Sequence, residues 1–398
     1  MHRFALAATL SCLLAAPALA QQPVEVTSLA APDAFTTPGR DTGLPQDLWR
    51  GATAATAQAV LPLLATKPLS PAAAYLGRRL LATGAPGPAG APDTAALTGA
   101  RANALIALGD VAAANRILER APGLDRSADL SRAAAESALL AGNDPGACSI
   151  AQNLGVDRGE AYWLRLRAFC QAQAGRTDQA QLTFDLAQVQ AKDAVYARLM
   201  AAKLSGAAPG AASLRNGLDY ALVRSLKLDP ATAKPAPAVA AALSGAEPAA
   251  PSFDVSAADA ATGGIGSAIA GGPLPAGGLD ALVLAAADAD AKTRGRLQSA
   301  ALLAAGLVPE LPAEHRARIA AFAVPEGKAS AGRNLALADA VARKLKGETG
   351  LIALWICADA GAAGPAVADR ARIVRALSQV GLTDEARTFA LEGLAGLK

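Results

Sequence analysis

Three glycines set the frame for what this chain can fold into. Gly109, Gly142 and Gly175 stand 33 residues apart, and each falls where a run of helix-forming residues should stop. Glycine just past a helix end adopts the left-handed backbone conformation without steric cost, so a fixed glycine spacing reads as a fixed spacing of helix ends. The same offset joins Ala102, Ala135 and Ala168, then Ala114, Ala147 and Ala180, and also the large apolar residues Leu97, Leu130 and Trp163. With roughly a quarter of the chain alanine, matches among alanines come easily, and the glycines and large residues carry the inference. Alanine is the best helix former and a poor strand residue, so spacing and composition agree on closely packed helices. Leu118 and Phe184, each four residues after the alanine of its second helix, are expected to fill the next layer.

The surrounding chain divides by composition. Residues 1–20 have the form of a secretory signal: a short polar start at His2 and Arg3, an apolar run from Phe4 to Ala16, and Ala18-Leu19-Ala20 as a small-x-small site, predicting cleavage after Ala20. The alternative, a lipid anchor on Cys12, lacks the expected branched or leucine residue three positions earlier, where Thr9 stands. Residues 21–92 read as an N-terminal extension. Gln46 to Thr66 carries helical apolar spacing that Pro62 should kink or end, and Ser70-Pro71 opens a second helix running to about Thr83. The Pro- and Gly-rich stretch from Gly84 to Asp93 reads as a hinge. Residues 93–228 alternate helix and short turn. Residues 229–280 are dense in Ala, Pro and Gly, as in Gly263-Gly264-Ile265-Gly266 and Gly271-Gly272-Pro273, and read as a linker with at most one or two short helices. Residues 281–398 form a second helical block punctuated by Gly306, Pro325, Gly347, Gly361 and Gly381.

The period and its residues resemble the tetratricopeptide repeat, a pair of antiparallel helices in about 34 residues. Leu164 to Ala187 is the closest copy, with Ala168, Gly175, Ala180, Phe184 and Ala187 on the family's small and large positions. Gly381-Leu382-Thr383-Asp384-Glu385-Ala386 echoes Gly175-Arg176-Thr177-Asp178-Gln179-Ala180, with threonine positioned to cap the second helix in both. The resemblance spans residues 94–192 and, more weakly, 365–398. It departs from the family at the first-helix tyrosine, where Leu105, Ala138 and Gln171 stand, and at the closing proline, where Arg126, Gly159 and Lys192 stand. The fold class expected is therefore all-α: a tetratricopeptide-like solenoid of helix pairs, in two blocks joined by the linker. The resemblance implies a groove lined by first helices that binds a peptide or protein, with no cofactor.

Parts for chemistry are few. Beyond residue 20 the only histidine is His315, in the charged run Glu314-His315-Arg316-Ala317-Arg318, which reads as a solvated helix face. One histidine leaves no multi-histidine metal site. Asp288 and Asp290 suggest the opening of a calcium loop, but Lys292 and Thr293 occupy places that need a ligand and a glycine. Gly264-Ile265-Gly266 lacks the third glycine of a dinucleotide fingerprint. Carboxylates such as Glu136 and Glu160 cannot be paired from sequence, which leaves a peptidoglycan-cleaving enzyme as the alternative to a non-catalytic scaffold. A self-assembling envelope component is the third reading.

Charge is near balance, 37 basic against 34 acidic residues, which argues against nucleic acid or anionic lipid as a partner. Every apolar stretch after the leader is interrupted before it reaches membrane-spanning length. The expected compartment is the bacterial periplasm, where Cys148 and Cys170, on neighbouring helices of adjacent repeats, are either a disulfide or two buried thiols. Cys357 has no evident partner. Arg158, Arg165 and Arg167 are candidates for contact with an acidic peptide, or else the wet face of a helix.

Overall fold

The structure is a computed structural model that describes residues 33–90, 94–274, 277–308 and 310–397. The predicted signal and its cleavage site lie outside the described residues, as does the end of the predicted hinge. Among the described residues every regular element is helical, and Pro32–Lys398 form one compact unit.

Helices α1 (Ala54–Thr66) and α2 (Pro71–Ala82) precede three hairpins: α3 (Thr94–Ala107) with α4 (Val111–Leu118), α5 (Ala128–Leu140) with α6 (Asp144–Asn153), and α7 (Ala161–Gln173) with α8 (Thr177–Gln190). Next come α9 (Ala194–Ser205), α10 (Gly217–Ser225) and α11 (Pro237–Ser244). The remainder comprises α12 (Ser256–Thr262), α13 (Ile265–Gly271), α14 (Gly278–Ala287), α15 (Arg294–Leu307), α16 (Ala313–Ala320), α17 (Ala331–Ala342), α18 (Lys346–Ala360), α19 (Val367–Gln379) and α20 (Thr383–Ala395). Pro62 stands inside α1, which continues past it to Thr66.

The three spaced glycines all end helices. Gly109, Gly142 and Gly175 have φ of +84°, +77° and +70°, and Gly381 has +85°. In each turn the glycine N–H bonds the carbonyl three residues back, and the next N–H bonds the carbonyl five back; for Gly109 these are Ile106 at 2.9 Å and, from Asp110, Leu105 at 2.8 Å. This is the Schellman arrangement, which satisfies carbonyls that a helix end leaves without partners. The residue after the glycine also starts the next helix. Asp110 and Asn143 cap α4 and α6 with their side chains, bonding Ala113 N at 3.2 Å and Gly146 N at 3.0 Å. Thr177 and Thr383 do not take that place, because the turn fixes it one residue earlier, at Arg176 and Leu382, whose side chains make no cap bond. A fifth copy of the turn, between α17 and α18, has Lys344 at φ +57° in the glycine position.

Packing brings distant parts of the chain together. α3 lies between α1 and α5, while α5 also carries α10 along its length. On its other side α1 packs on α18, and α2 packs on α18 and α20, so residues 281–398 rest directly on the N-terminal helices. Carboxylates complete these contacts. Glu348 accepts from Thr53 N at 3.0 Å and from the Thr56 hydroxyl at 2.6 Å, at the start of α1. Glu392 accepts from Ala72 N and from the Ser70 hydroxyl, both at 2.9 Å, at the start of α2, and is paired with Arg370. Arg101, wholly buried, donates to the carbonyls of Leu81, Ala34 and Thr83 at 2.7, 2.8 and 3.1 Å, closing the end of α2 and holding the segment before α1.

Residues 229–280 are built differently from the linker that composition suggests. They hold α11, α12, α13 and the start of α14, with Val239, Ala258, Ile265 and Ile269 buried. Gly263 and Gly264, at φ +69° and +88°, form the corner between α12 and α13, and the Asp259 carboxylate bonds Gly266 N at 2.6 Å across it. A glycine-rich composition here encodes tight corners between short helices.

The turns predict a graded response to substitution. A β-carbon at Gly142 or Gly175 meets nothing within 4 Å, so alanine there carries only the left-handed backbone penalty, about 1 kcal/mol. At Gly109 it would also stand 3.1 Å from the Pro237 carbonyl oxygen, so Gly109→Ala is expected to cost more. Lys344→Gly should stabilise, by up to about 1 kcal/mol. Urea unfolding of the four variants reads the order directly.

Candidate interaction surface

The surface of interest is built on α7 and α8. Trp163, Leu166, Ala168, Phe169 and Cys170 of α7 are buried. α8 buries only Ala180 and Ala187, seven residues apart on one stripe, whose small side chains let it lie close against α7. Phe184 is partly buried and faces the Tyr196 ring at 6.0 Å between centroids, so it does fill a layer beside its helix pair.

The opposite side of α8 is apolar and open. Leu182, Leu186 and Val189 are 64%, 50% and 86% exposed. At 3.6 residues per turn they form one stripe, about 140° around the helix from the buried alanines. Gln179, Gln181 and Gln190 border it, and the Gln181 amide donates to Asp185 at 2.9 Å. Among the described residues α8 packs chiefly on α7 and then on α9, and this stripe stays exposed. The i, i+4, i+7 spacing is present in the sequence, but periodicity alone assigns such residues to a core and does not single out a face left in water.

The three candidate arginines are held by the protein's own backbone. Arg158 donates to the Gln152 and Leu154 carbonyls at 2.8 and 2.5 Å, closing the end of α6. Arg167 donates to the Trp163 carbonyl at 3.3 Å and to the Arg158 carbonyl, and burial together with the nearby Arg158 charge lowers its pKa. Arg165 faces the other way, donating to the Ala191 carbonyl at 2.8 Å and pairing with Asp193 at 3.6 Å while it lies over the Tyr196 ring. Arg158 and Arg167 are thus neighbours, and Arg165 belongs to the junction with α9. All three brace turns, and they do not converge on one cationic patch.

Cys148 on α6 and Cys170 on α7 are joined in a disulfide, with 5.6 Å between their α-carbons, while Cys357 is a buried thiol. Its pKa is pushed above the usual thiol range by burial. The disulfide ties the second hairpin to the third where α6 meets α7.

The other residues singled out in the sequence also find structural partners. Glu136 on α5 is buried, with one carboxylate oxygen accepting from Gly217 N at 2.7 Å at the start of α10. Burial raises its pKa, against the lowering effects of the Gly217 N–H and of Tyr162. Glu160 is exposed at the start of α7. His315, expected on a solvated face, is 3% exposed and lies 3.1 Å from Asp280 through Nε2. The packing of α16 on α14 and α15 turns it inward, and the charges beside it in sequence stay outside. Asp290 accepts from the N–H groups of Lys292 and Thr293, both at 2.9 Å, and so leads into α15. Among the described residues no three His, Cys, Asp or Glu side chains gather as a metal site, and no helix is long and apolar enough to cross a membrane. Comparison of the chain with family models, curated proteins and solved structures returns no match.

A carboxyl whose folded pKa is raised binds its proton more tightly in the folded state, so its contribution to stability is present at low pH and is lost as pH rises above its ordinary range. Glu136→Gln keeps an acceptor for Gly217 N and removes the buried charge. It should raise stability at neutral pH and flatten the decline that begins near pH 4.5, as read by urea midpoints across pH. Replacing Cys148 and Cys170 together by alanine should cost about 2–4 kcal/mol in the same assay.

Proposed function

We propose that this chain is a non-catalytic, exported scaffold of tetratricopeptide-like helix pairs, working in a bacterial periplasm and binding a protein or peptide partner of the cell envelope. The observation that carries this reading is the open stripe of Leu182, Leu186 and Val189. Folded chains rarely leave large apolar side chains aligned in water without a use for them, and aligned stripes of this kind are how helices are recognised by partners. The recurring glycine turns support the repeat-like architecture, since they set helix after helix into hairpins of the same form. The Cys148–Cys170 disulfide supports an oxidising compartment, because such bonds are rare in the cytosol. The peptidoglycan-cleaving alternative finds little support in the carboxylates. Glu136 is buried and bonded to the start of α10, and Glu160 is exposed at the start of a different helix.

Two measurements test the proposal. Alkylation of the cell-derived protein in denaturant, without reductant, should label Cys357 alone; labelling of Cys12 as well would mean that the leader is retained, and labelling of Cys148 and Cys170 would remove the oxidising compartment. For the surface, a photo-crosslinking residue placed at Leu186 in living cells should join a defined protein species, and the yield should fall at least about tenfold when Leu182→Asp is added. Equal yields from position 186 with and without that change would sink the role of the stripe.

A further inference from the structure

We propose that residues 237–249 are an internal stand-in for a ligand. They fill a seat for a peptide segment of a protein partner, and that segment displaces them by bringing a carboxylate to Arg78. The seat is built on α2, α3, α4 and α5 and is separate from the α8 stripe.

The segment crosses the turn of the first hairpin in two parts. α11, eight residues long, lies on α3, α4 and α5 with Pro237 against the Gly109 turn, and buries Ala238 and Val239. Its far end leaves Leu243 43% exposed. Gly245, at φ +66°, closes α11, and no regular element follows before α12. Residues 245–250 are exposed apart from Pro248. Among the described residues two polar contacts reach them from the rest of the fold. Arg116 pairs with Glu247 at 3.0 Å, both side chains being about half exposed, and Arg78 donates to the Ala249 carbonyl at 3.4 Å. So short a helix has little stability of its own and an exposed ion pair adds little, so burial of Val239 does most of the holding.

Beneath the segment, positive charge is in excess. Arg40 pairs with Asp110 at 3.0 Å, and Arg116 donates to the Gly39 carbonyl at 2.7 Å. Arg78 is only 9% exposed, yet its acceptors are two carbonyls, Leu108 at 3.3 Å and Ala249 at 3.4 Å. Its Nε has no hydrogen-bond partner among the described residues. Burial lowers its pKa more than the nearby Asp110 raises it, and the Asp110 oxygens are taken by Arg40 and by Ala113 N. Folded chains pair the charges they bury, and Arg78 is an exception within this fold. A carboxylate standing where the Ala249 carbonyl stands would offer the guanidinium two oxygens in place of one, in the geometry its fork prefers. The internal segment cannot supply it, because residue 249 is alanine and the acid two residues earlier, Glu247, is paired with Arg116. A seat held by its own chain is open for a fraction of the time, and a partner segment binds in proportion to that fraction.

Two measurements on the cell-processed protein test the proposal. In native-state hydrogen exchange, the amides of residues 240–245 should exchange at least about a hundredfold faster than the slowest amides of α3 and α5, because the segment leaves while the core stays folded. A common rate for both would make the segment a permanent part of the core and overturn the proposal. Fluorescence anisotropy with labelled synthetic peptides then reads the seat. Val239→Asp should release the internal segment, and a peptide of residues 233–252 should bind that variant at least about tenfold more tightly than the wild type, whose tethered copy competes at millimolar effective concentration. The same peptide carrying Ala249→Asp should bind the variant about threefold to tenfold more tightly than one carrying Ala249→Asn, which matches it in size without the charge. Equal affinities of these two peptides would overturn the carboxylate. A Val239→Asp variant that unfolds, or that folds and binds no peptide, would overturn the seat, and the Leu186 crosslink stands or falls independently of either result.

Discussion

Helices α1 and α2 begin on carboxylates supplied by α18 and α20, near the other end of the chain. An α-helix leaves its first N–H groups without partners inside the helix, and they must find acceptors elsewhere. At α1 Glu348 accepts the N–H of Thr53, and at α2 Glu392 accepts that of Ala72, across 295 and 320 residues of sequence. Arg101 meets the complementary need at the other end of α2, where carbonyls lack donors, and does so as a buried guanidinium surrounded by main-chain oxygen. Removing Arg101 would strand the buried carbonyls of Leu81, Ala34 and Thr83 inside the fold, which costs more than the bonds themselves contribute. The architecture thus depends on contacts that no local segment can make alone. That is why two helical blocks separated in sequence become one body.

Local rules made a good part of this fold legible in the sequence. The 33-residue glycine register placed three helix ends, and its echo at Gly381 placed a fourth, because the left-handed turn is decided by a few adjacent residues. The fifth turn was not readable, since Lys344 gives no sign of the conformation that its neighbours impose. Residues 229–280 went astray for a related reason. Glycine and proline signal a chain reversal equally well in a floppy linker and at a corner between packed helices. What separates the two is the burial of Val239, Ile265 and Ile269, a matter of distant partners.

The interaction surface divides along the same line. Cys148 and Cys170 could be brought near each other by counting along helix pairs, but sequence left both a disulfide and two buried thiols open. The arginines were visible as charges, yet what they do depends on which carbonyls lie within reach, and each found one in the backbone. His315 looked solvated because its sequence neighbours are charged, although a helix turns adjacent residues toward different surroundings. Leu182, Leu186 and Val189 are the converse. Their spacing was plain, and their exposure follows only from the absence, among the described residues, of an element packed on that side of α8.

The glycine turns carry a consequence for how such a chain can change length. In each, one residue closes the preceding helix through its N–H and opens the following helix as its first cap, so no position in the turn is spare. Inserting a single residue would rotate everything after it by about 100° relative to the helix before. Alanines that touch inside the hairpin would swing outward. The connections between hairpins, such as the stretch from α4 to α5 that passes Gly123, are under no such requirement. Variation in length should therefore accumulate between pairs and be excluded within them, making the hairpin, and not the single helix, the unit by which this architecture can be lengthened or cut.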